Sequence, residues 1–185
     1  HKCPEIGKRQ IAAGAIGLCC QKVSEAEELV ASGIEDVLVS NEVVGASKLA
    51  RLAELSRHEK LGVCVDNAQA LADLRASGAQ VDVYVEIEVG MGRCGIQPGE
   101  PAANLAKQIA SSGTLRFAGL QAYQGRAQHM RSIEERRSAI ELASRKVSET
   151  RKILEKGGLE CPIVTGAGSG TFMLEVESGA WNEIQ

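Results

Sequence analysis

Three short stretches carry residue types that could do chemistry. TGAGSGT, Thr165 to Thr171, packs three glycines between hydroxyl side chains. Glycines let backbone N–H groups approach an anion, and Thr165, Ser169 and Thr171 add hydroxyl donors beside Gly166, Gly168 and Gly170, which together is phosphate-binding chemistry. No lysine follows, so this is not a P-loop; a plain flexible turn is the bland alternative. GMGRCG, Gly90 to Gly95, sets Arg93 among three glycines. It matches G-x-G-x-x-G, but a dinucleotide motif must open a helix, and here Pro98, Gly99 and Pro101 follow. No acidic residue ends a strand about 20 positions on, and the dinucleotide reading is rejected. Arg93 instead aims a guanidinium at a strand-end cleft. QAYQGRAQH, Gln121 to His129, ends an apolar run on Tyr123 and places Gln121 at the same mouth. Tyr123 is positioned as a phosphate or cofactor ligand; the lone His129 reads as structural.

The elements that must position these groups are legible as punctuation. Short apolar runs, Ala15–Cys20, Asp36–Ser40, Leu61–Val65, Val81–Val89, Leu115–Tyr123 and Cys161–Thr165, alternate with amphipathic stretches long enough for helical crossovers. Near-continuous apolar strands separated by helices predict a parallel sheet covered on both faces. Ser24 with Glu27 reads as a capping box, Asn67 as the cap of QALADLRAS, and Ser132 with Glu135 as the start of the longest helix. That helix carries Ile133, Ile140, Val147 and Leu154 at seven-residue spacing, a core-facing seam. Six strands and about six helices in alternation fit either an open doubly wound sheet or part of a (β/α)8 barrel. Ligands collect at the carboxyl ends of the strands in both, and all three stretches sit there. Glu86 and Glu88 share a strand face with Asp82 and Tyr84, opposite Val81, Val83, Val85, Ile87 and Val89. A buried carboxylate needs a partner, and Arg93 is the nearest candidate for Glu86; a salt bridge that only fixes the loop is the alternative.

Composition removes several function classes. The 185 residues hold 21 Lys+Arg against 24 Asp+Glu, a net charge of −3, with two Phe, two Tyr and one Trp. So little positive charge and so few rings argue against nucleic-acid binding. No apolar run approaches a membrane span and no signal peptide opens the chain, so neither membrane nor export is expected. The six cysteines form no C-x-x-C pair and read as small buried hydrophobes in a reducing, cytoplasmic compartment.

Taken together these motifs are familiar. HKCPEI, CCQKVSEAE, VLVSNEVVG, VCVDNA, VEIEVGMGRCG, GLQAYQGRAQH and VTGAGSGT resemble the fold-type III pyridoxal 5'-phosphate enzymes across essentially the whole chain. The group resembled is that of D-threonine aldolase, 3-hydroxy-D-aspartate aldolase, D-threo-3-hydroxyaspartate dehydratase and D-serine dehydratase. EVGMGRCG is also similar to the corresponding stretch of alanine racemases. The resemblance implies one domain over 1–185, a (β/α)8 TIM-type barrel of the alanine racemase N-terminal type, incomplete here, without its first strand and the C-terminal β-domain.

It also implies roles. Arg93 resembles the arginine beside the cofactor ring, and Glu86 stands where alanine racemases carry a lysine paired with that arginine. Tyr123, Gly168 and Ser169 resemble phosphate ligands, with Thr165, Gly166, Gly170, Thr171 and Gln121 as further cofactor contacts. The family's Schiff-base lysine would precede His1, and Lys2 resembles a second lysine of that pattern. A divalent metal (Mn, Mg or Zn) is expected in the complete enzyme, with ligands beyond Gln185 and none in this segment. The implied activity is a lyase on β-hydroxy-D-amino acids in a homodimer, aldol cleavage first, with metal-assisted dehydration as the alternative. A non-catalytic pyridoxal-phosphate carrier and an open-sheet nucleotide binder are the rivals from other classes.

Overall fold

A computed structural model of the chain describes residues 3–57 and 60–185. The expectation for Lys2 lies outside them. Among the described residues, seven strands form one sheet in chain order, β1 (Leu18–Cys20), β2 (Asp36–Glu42), β3 (Lys60–Val65), β4 (Asp82–Glu86), β5 (Arg116–Ala122), β6 (Ile163–Gly166) and β7 (Glu183–Ile184). β1 with β2, β2 with β3, β5 with β6 and β6 with β7 all run parallel. Seven helices alternate with them: α1 (Pro4–Ala12), α2 (Val23–Ala31), α3 (Ala46–Leu55), α4 (Ala68–Ala76), α5 (Glu100–Ala110), α6 (Ile133–Lys156) and α7 (Phe172–Ser178), plus a 3₁₀ turn over Gly125–His129. β7, beyond the six apolar runs, falls within Trp181–Gln185, which reads in the sequence as a strand just beginning.

The chain divides into two compact units. The first takes residues up to Tyr84 together with Ile109–Phe117. Val37, Val39, Leu61, Val63 and Val65 are buried on one face of its strands, and Leu38 and Cys64 on the other, as a parallel sheet covered on both sides requires. Asp82, buried in β4, is neutralised there by a two-pronged contact with Arg116.

The second unit, Val85–Gln108 and Ala118–Gln185, contains all three chemistry-bearing stretches. Its long helix α6 begins as expected: the Ser132 hydroxyl accepts from the Glu135 N–H at 3.1 Å, and Glu135 accepts from the Ser132 N–H at 3.3 Å. Ile140, Val147 and Leu154 are buried along one stripe. Ile133 departs from that seam and is half exposed, because it opens the first turn beyond the packed face.

Three other local expectations shift. α2 starts at Val23, not after Ser24: Glu25 accepts from the N–H groups of Gln21 and Lys22 at 2.8 and 3.1 Å, satisfying the helix start two residues early. The run Ala15–Cys20 is strand only from Leu18. Val81–Val89 is regular strand only over Asp82–Glu86: the Ile87 N–H still donates to the Gln121 carbonyl at 2.9 Å, but on its other side Ile87 is bridged in parallel by Ile96, whose N–H donates to the Glu86 carbonyl at 2.9 Å. Asn67 caps α4 as expected, accepting from Ala70 at 2.8 Å. All six cysteines are free thiols, and burial pushes Cys161 up to about 11, which makes it inert. No helix among the described residues is long and apolar enough to cross a membrane.

Candidate functional site

The return of the chain from Glu86 to Ile96 creates the first wall of the site. Glu86 is buried at the end of β4, and Arg93 reaches back to it, Nη2 to Oε1 at 3.3 Å. Cys94, unforeseen from the sequence, sits between them: its Sγ donates to Glu86 Oε1 at 2.9 Å and accepts from Arg93 Nε at 3.2 Å. The second Glu86 oxygen is buried without a partner among the described residues. Arg93 therefore has one edge tethered while its side chain stays 44% exposed, so the guanidinium is aimed yet not used up.

Glu88 governs the glycines of this loop. Its Oε1 accepts from the N–H groups of Gly90 and Gly92 at 2.7 and 2.8 Å, and Lys146 on α6 donates to its Oε2 at 3.2 Å. Burial alone would raise the Glu88 carboxyl; the N–H donors of Gly92 and Gly90 and the Lys146 ammonium outweigh it and hold it below its ordinary value. The loop is thus closed on itself by its own carboxylate.

β5 brings up the second wall. Its last residues pair with β6, Gln121 beside Thr165 and Ala122 beside Gly166, so Tyr123 emerges directly at the glycine-rich turn. The Arg93 guanidinium carbon lies 5.7 Å from the centroid of the Tyr123 ring, within reach of a cation–π contact. The next residue locks the two walls: Gln124 Nε2 donates to the Val89 carbonyl at 3.3 Å. Gln121 and Thr165 are both buried, and both accept from Gln185 Nε2, at 2.8 and 3.1 Å. Gln121 Oε1 and Thr165 Oγ1 thus each accept within the protein, and Gln185 had no signal in the sequence beyond its position.

The third wall is the turn itself. Gly166 has φ 153°, and a Cβ there would lie 2.2 Å from the Ala122 carbonyl oxygen. Trp181, whose Nε1 donates to that same oxygen at 3.0 Å, fixes the strand end from behind. Ala167 takes φ 81°, a left-handed conformation uncommon for a residue with a side chain. Gln128, from the 3₁₀ turn, then spans the loop: its Oε1 accepts from the Gly170 N–H at 2.7 Å and its Nε2 donates to Thr171 Oγ1 at 2.8 Å. Gly170 and Thr171 are therefore occupied, while Ser169 is exposed and its hydroxyl has no protein partner among the described residues. Arg136 on α6 donates to the Gly170 carbonyl at 3.2 Å. Of the residues expected from sequence, Glu86, Arg93, Tyr123, Gly168 and Ser169 stand open or poised at the strand ends; Gln121, Thr165, Gly170 and Thr171 are built into the frame. His129 is exposed.

A parallel β/α alternation with its polar groups gathered at the carboxyl ends of β4, β5 and β6 defines an α/β protein of the barrel-forming class, in which those ends carry the ligand site. The profile of the alanine racemase N-terminal domain matches residues 1–184, and the chain belongs to that family. It is 47% identical to the D-threonine aldolase of Arthrobacter sp, an alignment that takes in 100% of this chain and 50% of that enzyme. The 3-hydroxy-D-aspartate aldolase of Paracoccus denitrificans (strain Pd 1222) is 43% identical over 100% of the chain and 49% of its own length. The crystal structure of D-threonine aldolase from Filomicrobium marinum superposes with a TM-score of 0.96 at 50% identity, over 100% of this chain and 51% of that one. D-threo-3-hydroxyaspartate dehydratase from Delftia sp. HT23, 23% identical, shares the fold with a TM-score of 0.87, over 99% of this chain and 50% of that one. The chain spans about half the length of the curated relatives it matches.

Proposed function

We propose that this chain is the cofactor-holding part of a pyridoxal 5'-phosphate-dependent lyase that cleaves β-hydroxy-D-amino acids of the D-threonine or 3-hydroxy-D-aspartate kind into glycine and an aldehyde. The observation that carries it is the placement of Arg93 against Tyr123 beside the Gly166–Thr171 turn, in a chain nearly half identical to an aldolase along its whole length. The donor set suits a phosphorylated aromatic ring. Ser169 offers a free hydroxyl in a turn where a Cβ on Gly168 would press on the Gln128 amide, 2.7 Å away. Gly168, Ser169 and Tyr123 would hold the phosphate, and Arg93 would lie beside the ring, held by Glu86 in place of the lysine used by racemases. A permanently charged arginine there stabilises negative charge on the ring oxygen and gives up no proton. Gln121, Thr165, Gly166, Gly170 and Thr171 act from behind, fixing the strand ends. Bound pyridoxal phosphate supplies an electron sink for charge developing at the substrate Cα.

The aldolase branch is favoured over the dehydratase by identity, 47% against 26%. A divalent metal (Mn, Mg or Zn) to polarise the β-hydroxyl, a homodimeric assembly and a cytoplasmic setting complete the proposal for the whole protein. The test is direct. Full-length protein mixed with pyridoxal phosphate gains a visible absorption band bleached by borohydride, and releases glycine with acetaldehyde or glyoxylate. Ammonia in place of the aldehyde would make it a dehydratase; a bound band with no turnover would make it a carrier. A protein left colourless overturns the cofactor reading.

A further inference from the structure

The glycine-rich turn is tied to a carboxylate that has no role above. Glu175, on α7, is 1% exposed, and its Oε1 accepts from the Thr171 hydroxyl at 2.8 Å. Thr171 Oγ1 accepts in turn from Gln128 Nε2 at 2.8 Å, and Gln128 Oε1 accepts from the Gly170 N–H at 2.7 Å. Four groups form one unbroken relay. The other Glu175 oxygen is buried with no partner among the described residues, which is a costly way to fill space that a leucine would fill without penalty.

The Gly170 end of the relay dictates its direction. A backbone N–H only donates, so the Gln128 oxygen must face it. The single proton of Thr171 must therefore point at Glu175, its oxygen must receive the Gln128 amide NH2, and the Gln128 carbonyl must meet Gly170. Reversing Gln128 would set its NH2 against the Gly170 N–H, donor to donor. Gln128 is thus locked across the turn, where a Cβ on Gly168 or Gly170 would lie 2.7 or 2.8 Å from its amide. With Gly170 and Thr171 committed, Gly168 and Ser169 are what the turn has left to offer an anion.

We propose that Glu175 is the positioning residue of the anion-binding turn: acting through Thr171 and Gln128, it withdraws Gly170 from the ligand and fixes the Gly168–Ser169 corner in the shape that receives a phosphate group. The proposal rests on the cofactor reading above and deepens it. Its signature is selectivity for the phosphate, which a residue serving only general stability would not confer.

The experiment compares binding of pyridoxal 5'-phosphate and of pyridoxal, which lacks the phosphate, to the full-length protein and its variants. Glu175→Gln keeps an oxygen able to accept from Thr171 and should stay within about twofold of the parent for both ligands. Glu175→Leu cuts the relay and should lose roughly tenfold or more in affinity for the phosphorylated ligand, with pyridoxal unchanged. Should Glu175→Leu fail to fold, Gln128→Met breaks the same relay at a half-buried position and should give the same selective loss. Equal losses for both ligands, no loss at all, or a glutamine variant as impaired as the leucine one would overturn the proposal. A parent that binds neither ligand would instead bring down the cofactor reading, and this proposal with it.

Discussion

The loops Gly90–Gly95 and Thr165–Thr171 are alike in composition, each with three glycines and each at the carboxyl end of a strand, yet their N–H groups are engaged in opposite ways. In the first, the glycine N–H groups are claimed by a carboxylate of the loop's own strand: Glu88 takes Gly90 and Gly92 and is itself held by Lys146. An anion approaching those N–H groups would find them spent and a negative charge in the way. In the second, the tether is a neutral amide, Gln128, which occupies Gly170 and leaves the Ser169 corner open. Glycine content makes a close approach possible in both; the charge of the nearest acceptor decides whether a ligand anion or the protein uses it. Under the proposed function, the first loop is a rigid arm that delivers Arg93 and the second is the receptor.

Gly166 and Gly92, one glycine from each loop, differ in how much they are worth, and this gives the largest expected effect. A methyl at Gly166 must displace the backbone oxygen of Ala122, 2.2 Å from the ideal Cβ, at a φ of 153°. At Gly92, φ is 69° and nothing lies within 4 Å. Gly166→Ala is therefore expected to cost more than about 3 kcal/mol through overpacking and backbone strain, roughly 10 °C in Tm, and to abolish cofactor binding. Gly92→Ala should cost about 1 kcal/mol, the left-handed penalty alone. Thermal unfolding of the two variants side by side tests this; equal shifts would erase the distinction between an arm and a receptor.

A smaller effect isolates the charge. Glu88→Ala removes two charge-assisted acceptor contacts and the Lys146 partner, about 2 kcal/mol in a partly exposed loop where water recovers some of the loss. The fold holds the Glu88 carboxyl below its ordinary value. Its contribution is therefore fully present above the unfolded value of about 4.3 and is lost as pH falls through the lower, folded value. Urea midpoints of parent and variant should differ at pH 7 and converge below about pH 4. A gap that stays constant down to pH 3 would mean the carboxylate charge does not hold the loop.

Much of this was legible from residue types. Alternating apolar runs gave the parallel sheet, because strands buried on both faces leave no other pattern. Arg93 pairing with Glu86 followed from the cost of burying a carboxylate alone. Cys94, Gln128 and Gln185 were not legible. Each is a neutral side chain whose role depends on loop conformation: Gln128 matters because a 3₁₀ turn carries it across to a loop 42 residues further along. The same limit misplaced the start of α2, where Glu25 reaches back two positions earlier than Ser24 and Glu27 suggested. Nor could residue types show that Gln121 and Thr165 would each accept a hydrogen bond from Gln185. Spacing reveals which groups arrive at a strand end, and only the folded loops reveal which of them arrive already engaged.

The smallest expected effect concerns Ala167, the one described residue other than glycine with a positive φ, at 81°. It is buried, and it lies between Gly166, closed by the Ala122 oxygen, and Gly168, closed by Gln128. A left-handed residue with a Cβ costs about 1–2 kcal/mol, and such strain persists where neighbouring contacts over-determine it. Glycine would relieve the strain but add backbone entropy to the unfolded chain, an opposing term of up to about 1 kcal/mol. Ala167→Gly should therefore leave Tm within about 2 °C of the parent while loosening the receptor, so that affinity for pyridoxal phosphate falls about two- to threefold and the dissociation rate rises. The corresponding loop on the other side of the site has glycine at its positive-φ positions and no such strain to release. If Ala167→Gly instead binds the cofactor as tightly as the parent, the turn is held entirely by its tethers to Gln128 and Ala122, and the alanine is incidental.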